Sequence, residues 1–314
     1  MSIFPKPSID RARTPPPHNH VFSLYTFSNS LQVIIIIYTF PPKQRDGFTH
    51  TMTSQIPTSV PYAWPHDASL SPRTTALLII DMQRDFLSIG GYLDSQGYSV
   101  TRFQSLIPVL VSLLSAFRCA NFPIYHTREG HAPHLATVSS RELHRSSVNG
   151  APIGSHGPLG KLLVRGQRGH DIIAELQPLS DEPIIDKPGR GAFTNTDLDL
   201  ALRMRGIRNL VVCGVTADAC VSSTVREASD RGYDVLVVED GVESVSDELK
   251  KWSLEALKVE GGLFGVTGNY EAVKEAVESW MGKTTTNGMN GDKANGKESY
   301  DSRWYYEKKK GSDG

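Results

Sequence analysis

A cysteine, a lysine and an aspartate stand at the ends of three apolar runs in this sequence, and their types together suit acyl transfer. Cys220 ends the stretch Val212-Cys213-Gly214-Val215-Thr216-Ala217-Asp218-Ala219-Cys220, where an apolar strand closes at a glycine and the cysteine falls in the first turn of the helix expected next. Asp81 closes Ala76-Leu77-Leu78-Ile79-Ile80, and Lys187 closes Pro183-Ile184-Ile185-Asp186. At a helix start, unpaired N–H groups and the helix dipole favour thiolate over thiol, and can bring a cysteine pKa from ~8.5 towards about 3.5–7.5. The carboxylate would take the thiol proton, the thiolate would attack an amide carbonyl, and the ammonium would hold the charges in place. Backbone N–H groups of Thr216 and Cys220 would face the developing oxyanion.

Elements that could bring these residues together are visible between residues 72 and 282. Short β-branched runs predict strands at 75–81, 123–128, 183–186, 209–214, 233–239 and 263–267. Helical stretches fall near 102–119, 168–176, 195–205, 217–231, 246–258 and 269–282. This alternation predicts an α/β fold, a three-layer α/β/α arrangement around a Rossmann-like parallel six-stranded sheet of order 3-2-1-4-5-6. Strands 1, 3 and 4 are expected near the sheet centre, their C-terminal tips at the edge where open α/β sheets bind ligands. The segment 129–166 breaks the rhythm. It is rich in His, Ser and Gly, and is read as a pocket cover or an oligomer contact.

Composition narrows the function classes. With 39% hydrophobic residues, and Lys plus Arg (33) balancing Asp plus Glu (34), the 314-residue chain is an ordinary globular protein without a basic stripe for nucleic acid. Three cysteines without paired spacing argue for a reducing, cytoplasmic compartment. The segment 21–40 carries Ser23, Ser28, Asn29, Ser30 and Gln32, so it is not read as a membrane span. No phosphate-cradling glycine motif follows a strand. Residues 1–51 are read as a disordered extension, residues 52–282 as the folded domain and residues 283–314 as a disordered polar tail.

Three stretches carry a family resemblance. Ile80-Asp81-Met82-Gln83-Arg84-Asp85-Phe86, Ile185-Asp186-Lys187-Pro188 and Gly214-Val215-Thr216-Ala217-Asp218-Ala219-Cys220-Val221 resemble, in order, the signature segments of the isochorismatase-like cysteine hydrolases. The resemblance spans about residues 72–270 and implies a catalytic triad of Asp81, Lys187 and Cys220, with a non-proline cis peptide at Val215–Thr216. Further stretches, among them Gly90-Gly91-Tyr92-Leu93-Asp94, His126-Thr127-Arg128-Glu129-Gly130-His131 and Gly189-Arg190-Gly191-Ala192-Phe193, resemble biuret hydrolase and related ureide amidohydrolases. That likeness implies Phe86 as a pocket wall, Arg190 as a basic residue near the substrate and Glu260 where biuret hydrolases place a substrate-binding glutamine. It also implies a homo-oligomer, a tetramer by resemblance, acting on a small amide or ureide without nucleic-acid or membrane partners.

The activity so implied is hydrolysis of a linear C–N bond through a thioester, with biuret to allophanate and ammonia as the favoured instance. Alternatives are a nicotinamidase-like or N-carbamoyl-amino-acid hydrolase and, from another class, a non-catalytic scaffold on the same fold. His126, His131 and His134 invite a zinc reading, but the Asp-plus-His ligand spacing is missing, so no metal or cofactor is expected. Cys119 and Cys213 are read as small buried hydrophobes.

Overall fold

A computed structural model describes residues 55–287. The expected extension 1–51 and all but the first residues of the expected tail 283–314 lie outside the described residues.

The chain begins its sheet with β1 (Thr75–Ile80), followed by three short helices, α1 (Arg84–Leu87), α2 (Tyr92–Ser95) and α3 (Val100–Gln104), and the longer α4 (Ile107–Cys119). Strand β2 (Ile124–Glu129) leads into helix α5 (Ser140–Val148) and a small antiparallel ribbon, β3 (His156–Gly157) with β4 (Gly160–Lys161). There follow β5 (Ile184–Lys187), α6 (Leu198–Met204), β6 (Asn209–Val215), α7 (Ser222–Asp230), β7 (Asp234–Glu243), α8 (Asp247–Gly262), β8 (Val266–Gly268) and α9 (Tyr270–Asn287). The main sheet has six strands in the order β5-β2-β1-β6-β7-β8, all parallel. Counted among its own strands, that is the expected 3-2-1-4-5-6.

Sequence explains why β1 and β6 are central. Every residue of both is buried, as a parallel strand covered on two faces requires. Alternation sorts them: Leu77, Ile79, Val211, Cys213 and Val215 enter one core, whereas Ala76, Leu78, Ile80, Leu210 and Val212 enter the other. Leu110, Leu113, Leu114 and Phe117 of α4, with Val273 and Val277 of α9, cover the first face. Leu198 and Leu202 of α6, Val225 and Ala228 of α7, and Leu254 and Leu257 of α8 cover the second. Each fully buried Leu, Val or Phe among these contributes roughly 1.5–3 kcal/mol.

Several expectations change. The strand bearing Lys187 is the sheet's edge, not near its centre, because β2 lies between it and β1. The helix expected at 102–119 is broken between α3 and α4, with Pro108 in the first turn of the second piece, where its missing N–H costs nothing. The stretch 168–176 forms two 3₁₀ turns, Arg168–His170 and Ala174–Leu176, instead of one helix. Helix α9 runs to Asn287, into the segment read as a disordered tail. Cys213 is buried as expected, but Cys119, at the end of α4, is exposed because its helix face turns away from the sheet.

Candidate active site

Each of the three signature residues leaves its strand at the same sheet edge. Asp81 follows β1 at φ 50°, a left-handed conformation that aspartate tolerates better than most residues. Thr127 on β2 holds it from two sides: the Asp81 N–H donates to Thr127 Oγ1 (3.1 Å), and the Thr127 hydroxyl donates to Asp81 Oδ1 (2.5 Å). Lys187 ends the edge strand, and its long side chain reaches back over β2 to bring Nζ within 2.7 Å of Asp81 Oδ2. The ammonium also donates to the carbonyl of Gly189 (2.7 Å) and to Glu129 Oε2 (3.4 Å). Both Asp81 and Lys187 are fully buried.

Cys220 sits on the turn that joins β6 to α7. The Val215–Thr216 peptide is cis, and beyond it the Val221 N–H reaches five residues back to the Thr216 carbonyl (3.1 Å), a widened π-type turn spanning Ala217–Val221. Such turns often mark functional sites. Gly214 is what lets β6 pass so close to β1. It adopts φ 112°, and a Cβ there would lie 2.1 Å from the Ile80 carbonyl oxygen.

The thiol's immediate partner is a residue the signature segments did not single out. Cys220 Sγ lies 3.2 Å from Glu129 Oε2, at the tip of β2. Gln83 fixes that glutamate's backbone, accepting the Glu129 N–H (2.7 Å) and donating to the Glu129 carbonyl (3.0 Å). Glu129 could have been found from the same strand-tip logic that found Asp81 and Lys187; β2 simply runs one residue further than its β-branched pattern indicated.

Electrostatics set the resting protonation. Burial pushes the Cys220 thiol well above its ordinary range; Lys187 pulls it back, while Glu129 and Asp81 push it up again. The turn's dipole therefore does not leave a resting thiolate, contrary to the sequence expectation, because desolvation and two neighbouring carboxylates outweigh it. Burial also raises Asp81, and Glu129 adds to this against the pull of Lys187. For Glu129 itself burial is outweighed by Lys187 and Arg190, which hold it below its usual range. Lys187 stays an ammonium, since Asp81, Cys220 and Glu129 more than offset its own burial. The result is a thiol donating to an ionised glutamate, beside an aspartate with raised proton affinity.

A cavity of about 300 Å³ opens onto the thiol. Phe86 and Tyr92 form part of its wall, their rings edge-on with centroids 6.4 Å apart. Thr216, Asp218 and Ala219 of the turn line it, as do Glu129 and Arg190. Arg145 and Asn149 come from α5 and its end, so the segment that broke the strand-helix rhythm does cover the pocket. A larger cleft of about 640 Å³ lies on the other side of Arg190 and does not reach Cys220. Glu260 joins neither: it is exposed, at φ 52° in the break that ends the regular part of α8.

Asp81, Glu129 and Cys220 each offer a ligand atom within 4.8 Å of the others, a spacing that could suit a metal ion. The Lys187 ammonium, bonded to both carboxylates, already supplies a positive charge there, so the donor set fits a metal poorly. The three histidines stand apart from this cluster. His126 Nε2 meets Glu182 Oε2 (3.0 Å), His131 Nδ1 meets Thr137 Oγ1 (3.1 Å), and His134 Nδ1 accepts the Ala136 N–H (3.1 Å).

The chain is similar to known proteins. The sequence pattern of a family described as the isochorismatase domain matches residues 75–267. Ureidoacrylate amidohydrolase RutB of Acinetobacter baylyi is 34% identical over 181 residues, 57% of this chain and 74% of that protein. Among solved structures, an isochorismatase family protein from Desulfovibrio vulgaris superposes with a TM-score of 0.54 at 27% identity, covering 65% of this chain and 97% of its own. A cysteine hydrolase from Pseudomonas syringae shares the fold, with a TM-score of 0.58 at 24% identity over 67% of this chain and 95% of its own.

Proposed function

The chain belongs to the isochorismatase family, and from that premise we propose that it is a cysteine-dependent amidohydrolase acting on a small ureide, with biuret to allophanate and ammonia as the favoured reaction. The observation that carries this reading is the Cys220 thiol, hydrogen-bonded to a carboxylate 3.2 Å away beside a buried Lys187–Asp81 pair and facing a cavity of about 300 Å³. The name of the Acinetobacter relative, ureidoacrylate amidohydrolase, supports the same bond type.

In the proposed cycle Glu129 orients the thiol and Asp81, the carboxylate with raised proton affinity, takes its proton as substrate enters. The sulfur attacks the terminal amide carbon, and the N–H groups of Thr216 and Cys220 receive the negative charge that develops on oxygen. Collapse breaks the C–N bond; the proton held by Asp81 passes to the departing nitrogen, which leaves as ammonia. Water, deprotonated by the same carboxylate, then hydrolyses the thioester and returns the proton to sulfur. Lys187 keeps both acids ionisable in a dry site that would otherwise disfavour charge. A cytoplasmic setting and a homo-oligomeric state belong to the proposal as well, the second to be read from the mass in solution.

Ammonia release tests the reading. Across biuret, ureidoacrylate, N-carbamoylglycine and nicotinamide, the protein is expected to turn over at least one ureide and to leave nicotinamide intact. A metal chelator should change nothing, because Lys187 supplies the site's cation. No release from any ureide, or activity lost to the chelator and restored by zinc, would overturn it.

A further inference from the structure

Two guanidiniums, Arg145 and Arg190, line the cavity that opens onto Cys220. Paired guanidiniums are the usual reader of a carboxylate. Here a carboxylate of the chain itself holds them. Glu142, in the first turn of α5, accepts from Arg190 Nη1 through Oε2 (3.0 Å) and from both Arg190 Nη2 and Arg145 Nε through Oε1. Arg141 adds a looser contact at 3.7 Å. Glu142 is buried at 8% exposure, and the Ser139 side chain accepts its N–H (3.2 Å), so the residue is fixed at the start of its helix. Although burial acts to raise it, Arg190 and Arg145 bring its carboxyl down to about 2, so it is ionised at any working pH.

Charge then decides what can enter. Glu129 and Asp218 line the cavity together with Arg145 and Arg190, and those four formal charges balance. Glu142, behind the arginine pair, engages both guanidiniums that would otherwise face a substrate anion. A substrate carboxylate would have to uproot Glu142 from a forked pair, or stay in a cavity lined by Glu129 and Asp218 whose guanidiniums are already engaged. An uncharged ureide meets no such barrier. Its carbonyl can take the side-chain N–H of Gln96, which lines the cavity and whose buried Nε2 has no hydrogen-bond partner among the described residues.

We propose that Glu142 is a specificity-determining residue, an internal carboxylate seated on the Arg145–Arg190 pair that makes this pocket select uncharged ureides and reject ureido acids. The inference rests on the amidohydrolase reading for its substrate class, but the occupancy of the arginine pair can be tested without turnover.

Two measurements on the wild type and Glu142→Gln decide it. The first is kcat/KM for biuret against the carboxylate-bearing N-carbamoylglycine. Wild type is expected to favour biuret at least about tenfold, and E142Q to move that ratio at least about tenfold towards N-carbamoylglycine, the scale of one desolvated charge pair. The second is calorimetric binding of propionate, expected at least about tenfold tighter for E142Q. Wild type preferring the ureido acid, or binding propionate as tightly as the variant, would overturn the proposal. If E142Q fails to fold, the wild-type preference between biuret and N-carbamoylglycine still decides. Absence of turnover with both substrates, with propionate bound only by the variant, would remove the amidohydrolase reading and leave the role of Glu142 standing.

Discussion

Four buried ionisable side chains share one small volume here, and their signs define what each does. Asp81 and Glu129 both raise the thiol's proton affinity, and Lys187 lowers it. Lys187→Met should therefore move the thiol pKa further up and slow alkylation of Cys220 by iodoacetamide near neutral pH. Glu129→Gln should do the reverse, moving the alkylation profile to lower pH, while turnover falls on the order of 10²-fold because the thiol loses the acceptor that aims it. Speeding the thiol's chemistry while slowing catalysis is the signature of a positioning carboxylate; alkylation profiles that coincide with wild type in both variants would contradict it. Asp81, Lys187 and Cys220 were legible in the sequence because each ends an apolar run, a position that chemistry and topology both mark. Glu129 ends such a run too, but in Ile124–Glu129 the polar His126, Thr127 and Arg128 disguise where the strand stops. Glu260 was chosen by likeness alone, and a three-residue break in α8 at Val259, Glu260 and Gly261 turns it out to solvent.

At the scale of elements, periodicity found every strand of the main sheet, even β2, whose buried face begins at Ile124 and Tyr125 before its polar residues. It missed α5, whose sequence Ser-Arg-Glu-Leu-His-Arg-Ser-Ser-Val has no apolar stripe. Its signal was a cap: Ser139 with Glu142 three residues on matches a capping-box spacing, and Gly150 follows the helix end. That helix is held by charge more than by burial, through Glu142 to Arg190, which explains why a hydrophobic reading passes over it. Strand crossing is the element-scale constraint on the site itself. Gly214→Ala would drive a Cβ into the Ile80 carbonyl at a backbone angle that alanine avoids. The expected cost is more than about 3 kcal/mol, read as a fall of the thermal midpoint by roughly 10 °C or more, or as insoluble protein. A midpoint within a few degrees of wild type would show that β1 and β6 can part without loss.

For the molecule as a whole, the sheet gathers its chemistry at one edge, and although Cys220 packs among the residues of the second core, replacing its single sulfur removes little of what holds the fold. Cys220 is small, buried and on a turn, and its sulfur's polar contact is with Glu129, not with a core residue. Cys220→Ala should keep the wild-type circular dichroism spectrum and a thermal midpoint within a few degrees. The most direct measurement is ammonia release from the preferred ureide by wild type and by this folded variant, under identical conditions. The nucleophile account predicts a loss on the order of 10³-fold or more, the scale of deleting a covalent nucleophile, whereas release by the variant within tenfold of wild type would contradict it.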